Sequence, residues 1–566
     1  MKKQTITGLA FIVAAGTLLS SCDLLKDLQY EVSPKTLEMH GDSVRVKVDV
    51  TFPLKGINKK ASVEITPMLG ETALKSITVQ GEKATGNGSV IQYKAGGKIT
   101  YTDIVAYKPE FEDVDLKITG VVSKGGKVKM SVPETKIAEG TIITPLLVNN
   151  DFKVVLEKDN FKRVTEKGYT VQLNYDKGKS IVKPVELKDK DIVDFKVWLA
   201  SAQKNPKIKL KGYTIVGFAS PEGEEDKNNS LSTERADAAK ITVLNLAKDA
   251  KNEISQTEIY TLLGKGEDFE GFKRELEKST MNSDEKQLII RVLEMHKDPA
   301  TREAEMRNMG KTFTYLDDNV FTKLRRSEIQ VSYDKTGYTD EELKALSVSK
   351  PDTLTVEELL FTATLTNDVN EKLRIYNVAE KNFPTDHRAI NNAGVMLYMQ
   401  NKLDEAQAQF SKANNVKETA IASNNLGAIE GAKGNREGAK KLFQSSKDAG
   451  TEVSYNLGIL NIRDGLYNEA VANFGSYDTF NKALAQLLSA ATAGSDVKTL
   501  DASTDKESAQ GYYLRAVISA RLGNVDATID NLKKAFAKDA SYKEKAMKDK
   551  EFLKFQDSAS FTGAVK

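Results

Sequence analysis

Few side chains in this sequence are suited to making or breaking a covalent bond. Its three histidines, His40, His296 and His387, stand far apart, and Cys22 is the only cysteine in 566 residues. There is no His-Glu-x-x-His pair, no phosphate-cradling glycine loop and no nucleophile elbow, so the usual machinery of metalloproteases, nucleotide-dependent enzymes and hydrolases is missing. Adjacent carboxylates such as Glu224 with Glu225 or Asp317 with Asp318 fall in turns or at helix ends, where solvated charge is the default; a glycosidase built on two carboxylates is the one class that would leave so little trace. The chain is therefore expected not to be an enzyme and to hold neither metal nor cofactor. Recognition is better served. Ser220, Glu222, Asn228 and Arg235 follow one another along a turn and the helix after it. Arg235 is planar and permanently charged, which suits a carboxylate fork, Glu222 offers an anion, and Ser220 offers a neutral hydrogen bond about half as strong as a charged one.

The spacing of this stretch resembles the ligand loop of an OmpA-like, peptidoglycan-binding type domain. Gly217, Phe218, Ala219, Ser220 and Gly223 stand where that family has its Gly-His-Thr-Asp-x-x-Gly turn, and Asn228, Leu231-Ser232 and Arg235-Ala236 keep its intervals. Gly264-Lys265-Gly266-Glu267 is similar to the family's Gly-Tyr-Gly-Glu turn, and Leu324 to Ile329, with Arg325 and Arg326, to its closing strand. Between those two lie about fifty extra residues, 268–318, expected to form a helical insertion. In the family the aspartate of the turn and the arginine hold the diaminopimelate of the wall peptide. The resemblance therefore nominates Ser220, Glu222, Asn228, Leu231, Arg235, Arg325 and Arg326 as peptidoglycan contacts. Ser220 in place of the aspartate leaves the outcome open: weaker binding, transfer of the amine to Glu222, or a domain that takes another ligand or none.

A second pattern recurs further on. Asn392-Ala393-Gly394, Asn425-Leu426-Gly427 and Asn456-Leu457-Gly458 are 33 and 31 residues apart, and each is followed at fixed distance by an alanine (Ala406, Ala439, Ala470) and a phenylalanine (Phe410, Phe443, Phe474). This resembles the tetratricopeptide repeat, in which small residues let paired helices approach and the aromatic fills the gap between them. Weaker units precede and follow, and the 58-residue spacing to the last, which carries Tyr512 and Ala516, requires a shortened unit beginning near Asn481. A repeat stack presents a groove that takes extended peptides or protein segments. Asn392, Asn425 and Asn456 would line up there as a ladder able to bond a peptide backbone, or asparagine is simply common at that position.

The elements around these motifs sort into three zones. From about residue 30 to 163 apolar and polar residues alternate in short runs broken by glycine pairs, which reads as a β-sandwich. From about 167 to 334 the order is β-α-β-α-β, then helices, then β; the first helix places Ile192, Phe195, Trp198 and Leu199 on one face, and Ser230 or Ser232 is placed to cap the second. From about 356 onward the pattern is helical. The expected organisation is a signal peptide over 1–21, a β-sandwich over 22–166, an α+β OmpA-like domain over 167–335, a linker over 336–351 and a repeat solenoid over 352–566.

The N-terminus, with Lys2-Lys3, an apolar run and Leu19-Ser20-Ser21-Cys22, reads as an export signal that resembles a bacterial lipobox, with Cys22 as the site of lipid attachment. Acyl chains hold a protein on a bilayer without a transmembrane helix. With 82 basic and 80 acidic residues no net field points to nucleic acid. The expected protein is a lipid-anchored scaffold of the outer membrane, facing the periplasm or displayed on the cell surface. It would contact peptidoglycan through the OmpA-like domain and recruit a protein partner through the repeat groove. The alternative is a purely protein-binding accessory subunit of a fimbrial, secretion or uptake assembly whose OmpA-like domain has lost wall binding.

Overall fold

The structure, a computed structural model, describes residues 24–247, 259–296, 298–490 and 494–565. The expected signal peptide and Cys22 lie outside the described residues. The chain divides into two units: residues up to Lys158 together with Thr366 onward make one, and Asp159–Leu365 the other.

The first unit begins with strands β1 (Gln29–Val32), β2 (Leu37–His40), β3 (Ser43–Phe52), β4 (Ala61–Leu69), β5 (Thr72–Ala73), β6 (Ile77–Gly81), β7 (Ser89–Ile91), β8 (Gly97–Ala106), β9 (Asp115–Lys124), β10 (Lys127–Glu139) and β11 (Thr141–Ile142). One sheet has the order β1-β3-β2-β11 with β8 on the other edge of β3, and the second has the order β10-β9-β4-β6-β7 with β5 against β4. Along β3, Val44, Val46, Val48, Val50 and Phe52 are buried while Arg45 and Lys47 are exposed, the period of a strand with one wet face. These residues meet Val63, Ile65, Leu116, Ile118 and Val122 of the second sheet in a single core.

The second unit contains β12 (Val164–Asn174), α1 (Lys190–Lys204), β13 (Ile208–Ala219), α2 (Glu225–Leu246), β14 (Tyr260–Glu267), α3 (Phe269–Lys278), α4 (Ser283–Met295), α5 (Pro299–Asn308), α6 (Lys311–Leu316), α7 (Thr322–Leu324), β15 (Arg326–Thr336), α8 (Asp340–Ser349) and α9 (Val356–Thr364). Its sheet has the order β12-β15-β13-β14, with only β13 and β14 parallel. A parallel pair needs a long crossover, and α2 supplies it. Helices α1 and α2 bury Phe195, Leu199, Ala236, Ala239 and Val243 against Val171, Leu173, Ile215, Ile329 and Val331 of the sheet. Helices α3 to α7 close on a core of their own around Phe272, Leu276, Ile289, Leu316 and Phe321. The stretch expected as a linker carries α8, whose N-terminus is fixed by reciprocal bonds between Thr339 and Glu342.

The first unit resumes with α10 (Val369–Asn382), followed by helix pairs: α11 (His387–Met399) with α12 (Leu403–Val416), α13 (Ala420–Ala432) with α14 (Arg436–Ser445), α15 (Thr451–Arg463) with α16 (Tyr467–Phe474), α17 (Phe480–Leu488) with α18 (Ser495–Ala502), and α19 (Ala509–Arg521) with α20 (Val525–Lys538). Helices α21 (Ser541–Lys548) and α22 (Ala559–Val565) close the array. The Asn-x-Gly pattern explains itself on these helices. Two residues are about 200° apart around an α-helix, so the asparagine and the glycine face opposite ways. Gly394, Gly427 and Gly458 face Phe410, Phe443 and Phe474 of the paired helix so closely that an added Cβ would lie 2.7–2.8 Å from each ring. The pairs turn through left-handed residues, Asn401 in the first and Gly434 in the second, with φ of 59° and 87°. This helical, C-terminal part is a tetratricopeptide-type repeat array.

Candidate functional site

The face formed by the first helices of the pairs is occupied. Residues 149–157 of the same unit pair with no strand and run along the first helices of the pairs, from α17 to α11, opposite to the repeat order. A carboxamide carries one acceptor and a donor, so it can answer both groups of a peptide unit at once. Asn481 Oδ1 accepts from Asn149 N at 2.8 Å and its Nδ2 donates to Asn149 O at 2.9 Å. Asn456 does the same for Lys153 (2.6 and 2.8 Å), Asn425 for Val155 (2.8 and 2.9 Å) and Asn392 for Glu157 (2.8 and 3.0 Å). Gln510 of α19 donates to the carbonyl of Leu147 at 2.8 Å, so these carboxamide contacts fall on odd-numbered residues. That is the two-residue period of an extended chain whose alternate groups face one way.

The asparagines brace one another. Asn391 and Asn424 precede two rungs of the ladder; each donates to its neighbour's Oδ1 at 3.1 Å, and their own Oδ1 atoms accept from Asn425 (2.9 Å) and Asn456 (3.1 Å) of the next repeat. All six asparagines are at most 2 % exposed. Buried amides without partners would be costly, and here each has them.

Side chains of the segment make further contacts. The Phe152 ring is buried beside Phe443, with centroids 5.9 Å apart, over Gly431, where a Cβ would lie 2.7 Å from the ring. Tyr398 donates its hydroxyl to Phe152 O at 3.0 Å. Asp151 accepts from Tyr455 at 2.8 and 2.9 Å and from Asn481 at 2.9 Å; burial, together with this carboxylate, pushes the Tyr455 phenol well up. Glu157 accepts from Thr419 at 3.2 Å and lies 3.6 Å from His387 Nε2. His40 is also placed by a repeat side chain, edge-on to Tyr467 at 4.9 Å.

In the second unit the turn candidates are drawn together and turned inward. Arg235 is fully buried, and it donates from Nε to Lys179 O (3.0 Å), from Nη1 to Phe218 O (2.8 Å) and from Nη2 to Asp176 O (3.1 Å). Burial pulls its pKa down to about 10. Arg325 bonds Glu222 Oε1 from Nε at 2.9 Å, reaches Ser220 Oγ at 3.4 Å and pairs with Asp317. For Asp317 burial works against ionisation, but bonds from Lys177 and Arg325 outweigh it and hold the carboxyl below its usual range. Arg326 pairs with Asp268 at 2.7 Å and lies over the Phe218 ring at 4.4 Å. Asn228 Nδ2 ties the turn to itself and to β14 through Ser220 O (3.2 Å), Gly223 O (3.2 Å) and Glu267 Oε1 (2.9 Å). Leu231 is half-buried on α2.

One expectation for α2 changes. The helix starts at Glu225, so neither Ser230 nor Ser232 caps it, and Arg235 lies in its third turn. Ser232 Oγ instead donates to Asn229 O at 2.8 Å and accepts from Gly266 N at 2.9 Å, joining helix to sheet. Gly217 is needed because α2 lies directly on β13: a Cβ there would sit 1.9 Å from Ser232 O.

Sequence reasoning named three rungs of the ladder and missed Asn391, Asn424, Asn481 and Gln510. The Asn-Asn doublets and the Asn481-Lys482-Ala483 variant of Asn-x-Gly were the available signals. It had no signal for the occupant, whose residues fall inside the range assigned to the β-sandwich.

No protein-family model matches the chain, and no curated protein matches it in sequence. Among solved structures it is similar to the APC/C hetero-tetramer Cut9-Hcn1, at 13% identity over 40% of this chain and 45% of that one, with a TM-score of 0.31. It is also similar to a tetratricopeptide repeat protein from Parabacteroides merdae (16% identity, 38% and 91% covered, TM-score 0.28) and to yeast Tom70 (15%, 61% and 66%, TM-score 0.25). The chain thus spans less than half of the first of these. Among the described residues no helix is long and apolar enough to cross a membrane, and no group of three or more His, Cys, Asp or Glu is placed to hold a metal.

Proposed function

We propose that this protein is a non-catalytic accessory scaffold of the cell envelope, lipid-anchored in the outer membrane through Cys22, that works by binding other proteins. Its second unit keeps an OmpA-like frame without an open wall-peptide site. The observation that carries this reading is Arg235. In the family the arginine meets a ligand carboxylate, whereas here its fork is directed at the main chain of Asp176, Lys179 and Phe218 with no exposed surface. The cationic Arg325 is likewise paired with Glu222 and Asp317, and Ser220 supplies no anion. A buried guanidinium already bonded three times would have to give up those bonds to take a ligand.

The test is sedimentation of the acyl-free protein with purified sacculi. Wild type is expected to stay in the supernatant, and Ser220→Asp is expected to stay there too because Arg235 is not free. Binding by wild type that is lost in Arg235→Lys would overturn the reading in favour of a wall tether. Labelling with radioactive palmitate, abolished in Cys22→Ala, tests the anchor, and protease treatment of whole cells tells the periplasmic face from the cell surface.

A further inference from the structure

The ladder does not read the side chains at the positions it holds. Asn149, Lys153, Val155 and Glu157 are an amide, a cation, a branched hydrocarbon and an anion, yet each is held by the same pair of main-chain bonds. The groove therefore fits any extended backbone with a free N–H at alternate residues. What it selects lies at three places: a carboxylate at Tyr455 and Asn481, an aromatic ring on Gly431 against Phe443, and a second carboxylate near Thr419 and His387. The resident segment is held shallowly. Only Phe152 among residues 149–157 is buried, and no strand shares its backbone bonds.

We infer that residues 149–157 are an exchangeable strap, and that the repeat groove takes in their place an extended segment of a partner protein with the same chemistry. Such a segment has an acidic residue directly before an aromatic one, no proline at the ladder positions and a second acidic residue five positions after the aromatic. This rests on the protein-binding reading above and names the partner class for it. A tethered strap competes at an effective concentration on the order of millimolar, so a free peptide meets a largely closed groove. Loosening the strap without touching the groove should open it. Lys153→Pro does this by removing the N–H that Asn456 accepts.

The probe is a fluorescein-labelled synthetic peptide with the sequence of residues 147–158, titrated into the full chain and read by anisotropy. Lys153→Pro and Phe152→Ala are each expected to bind it at least about tenfold more tightly than wild type, a gain of about 1.4 kcal/mol. Adding Asn425→Ala and Asn456→Ala should return binding to the wild-type level, and a peptide with alanine for its phenylalanine should bind more weakly than the parent. Strap variants that keep wild-type helical circular dichroism and bind no more tightly than wild type overturn the inference. In the wild-type protein, excess peptide should accelerate hydrogen exchange at the Lys153 and Val155 amides relative to the core amides of α13 and α15; unchanged exchange also overturns it. Neither readout involves sacculi, so failure here leaves the wall-binding result standing.

Discussion

Two regions of this molecule aim nitrogen-rich side chains at backbone, and they do so with different chemistry. In the repeats, neutral carboxamides reach a segment more than two hundred positions away in sequence and satisfy its N–H and C=O together. In the second unit, the Arg235 guanidinium reaches three carbonyls of the turn and loop around it and can satisfy no donor. An amide ladder is a template that another backbone can occupy. A buried guanidinium is a bolt: its charge must stay matched, so removing what it holds leaves both sides unsatisfied.

The largest effect should come from drawing that bolt. Arg235→Ala takes the guanidinium from the carbonyls of Lys179 and Phe218, at ~1–3 kcal/mol each, while the Asp176 carbonyl keeps the Lys179 N–H, so the second unit should lose about 2–6 kcal/mol. Trp198, the only tryptophan, packs on Tyr169 and Tyr333 of that unit, and its fluorescence in a urea titration reports the loss. An unshifted midpoint would mean that Arg235 does not hold the frame. Phe152→Ala should cost the first unit about 3 kcal/mol by calorimetry, because it empties the slot over Gly431.

Asn456→Ala should cost about 2 kcal/mol, since it removes the acceptor of the Lys153 N–H and leaves the Lys153 carbonyl with Asn424 alone, and hydrogen exchange at the Lys153 amide should quicken. If the cost matched that of Arg235→Ala, the contrast between template and bolt would fail. A separate effect concerns acid. The ladder's amides carry no titrating proton, so the acid response of the first unit must come from other groups. Burial raises Asp549, which accepts from Tyr513 at 2.6 Å, from its ordinary 3.8 to about 6. The folded state then binds more protons than the unfolded one between those values. This contribution is full below about pH 4 and is lost as pH rises through about 6, with a slope of at most about 1.4 kcal/mol per pH unit. Asp549→Asn should flatten that slope in thermal melts between pH 4 and 7.

Legibility followed sequence distance. The alternation of β3, the buried face of α1 and the phenylalanines of the repeats repeat within a turn or a strand, so local periodicity exposes them. The start of α2 was misplaced because Ser232 looks like a cap, while in the fold its hydroxyl serves a contact with Gly266 of β14. Arg235 could be singled out by spacing, but which way its fork points depends on Asp176 and Lys179, about sixty positions earlier.

The sequence alone determined the repeat period, the recurring position of Asn392, Asn425 and Asn456 and the glycines that admit close packing, because each is set by residue types at fixed spacing. Tertiary structure decided what the ladder holds and what Arg235 holds. Main-chain groups are the same at every residue and leave no mark in sequence, so only the folded chain brings residues 149–157 to the ladder and closes the turn around its arginine.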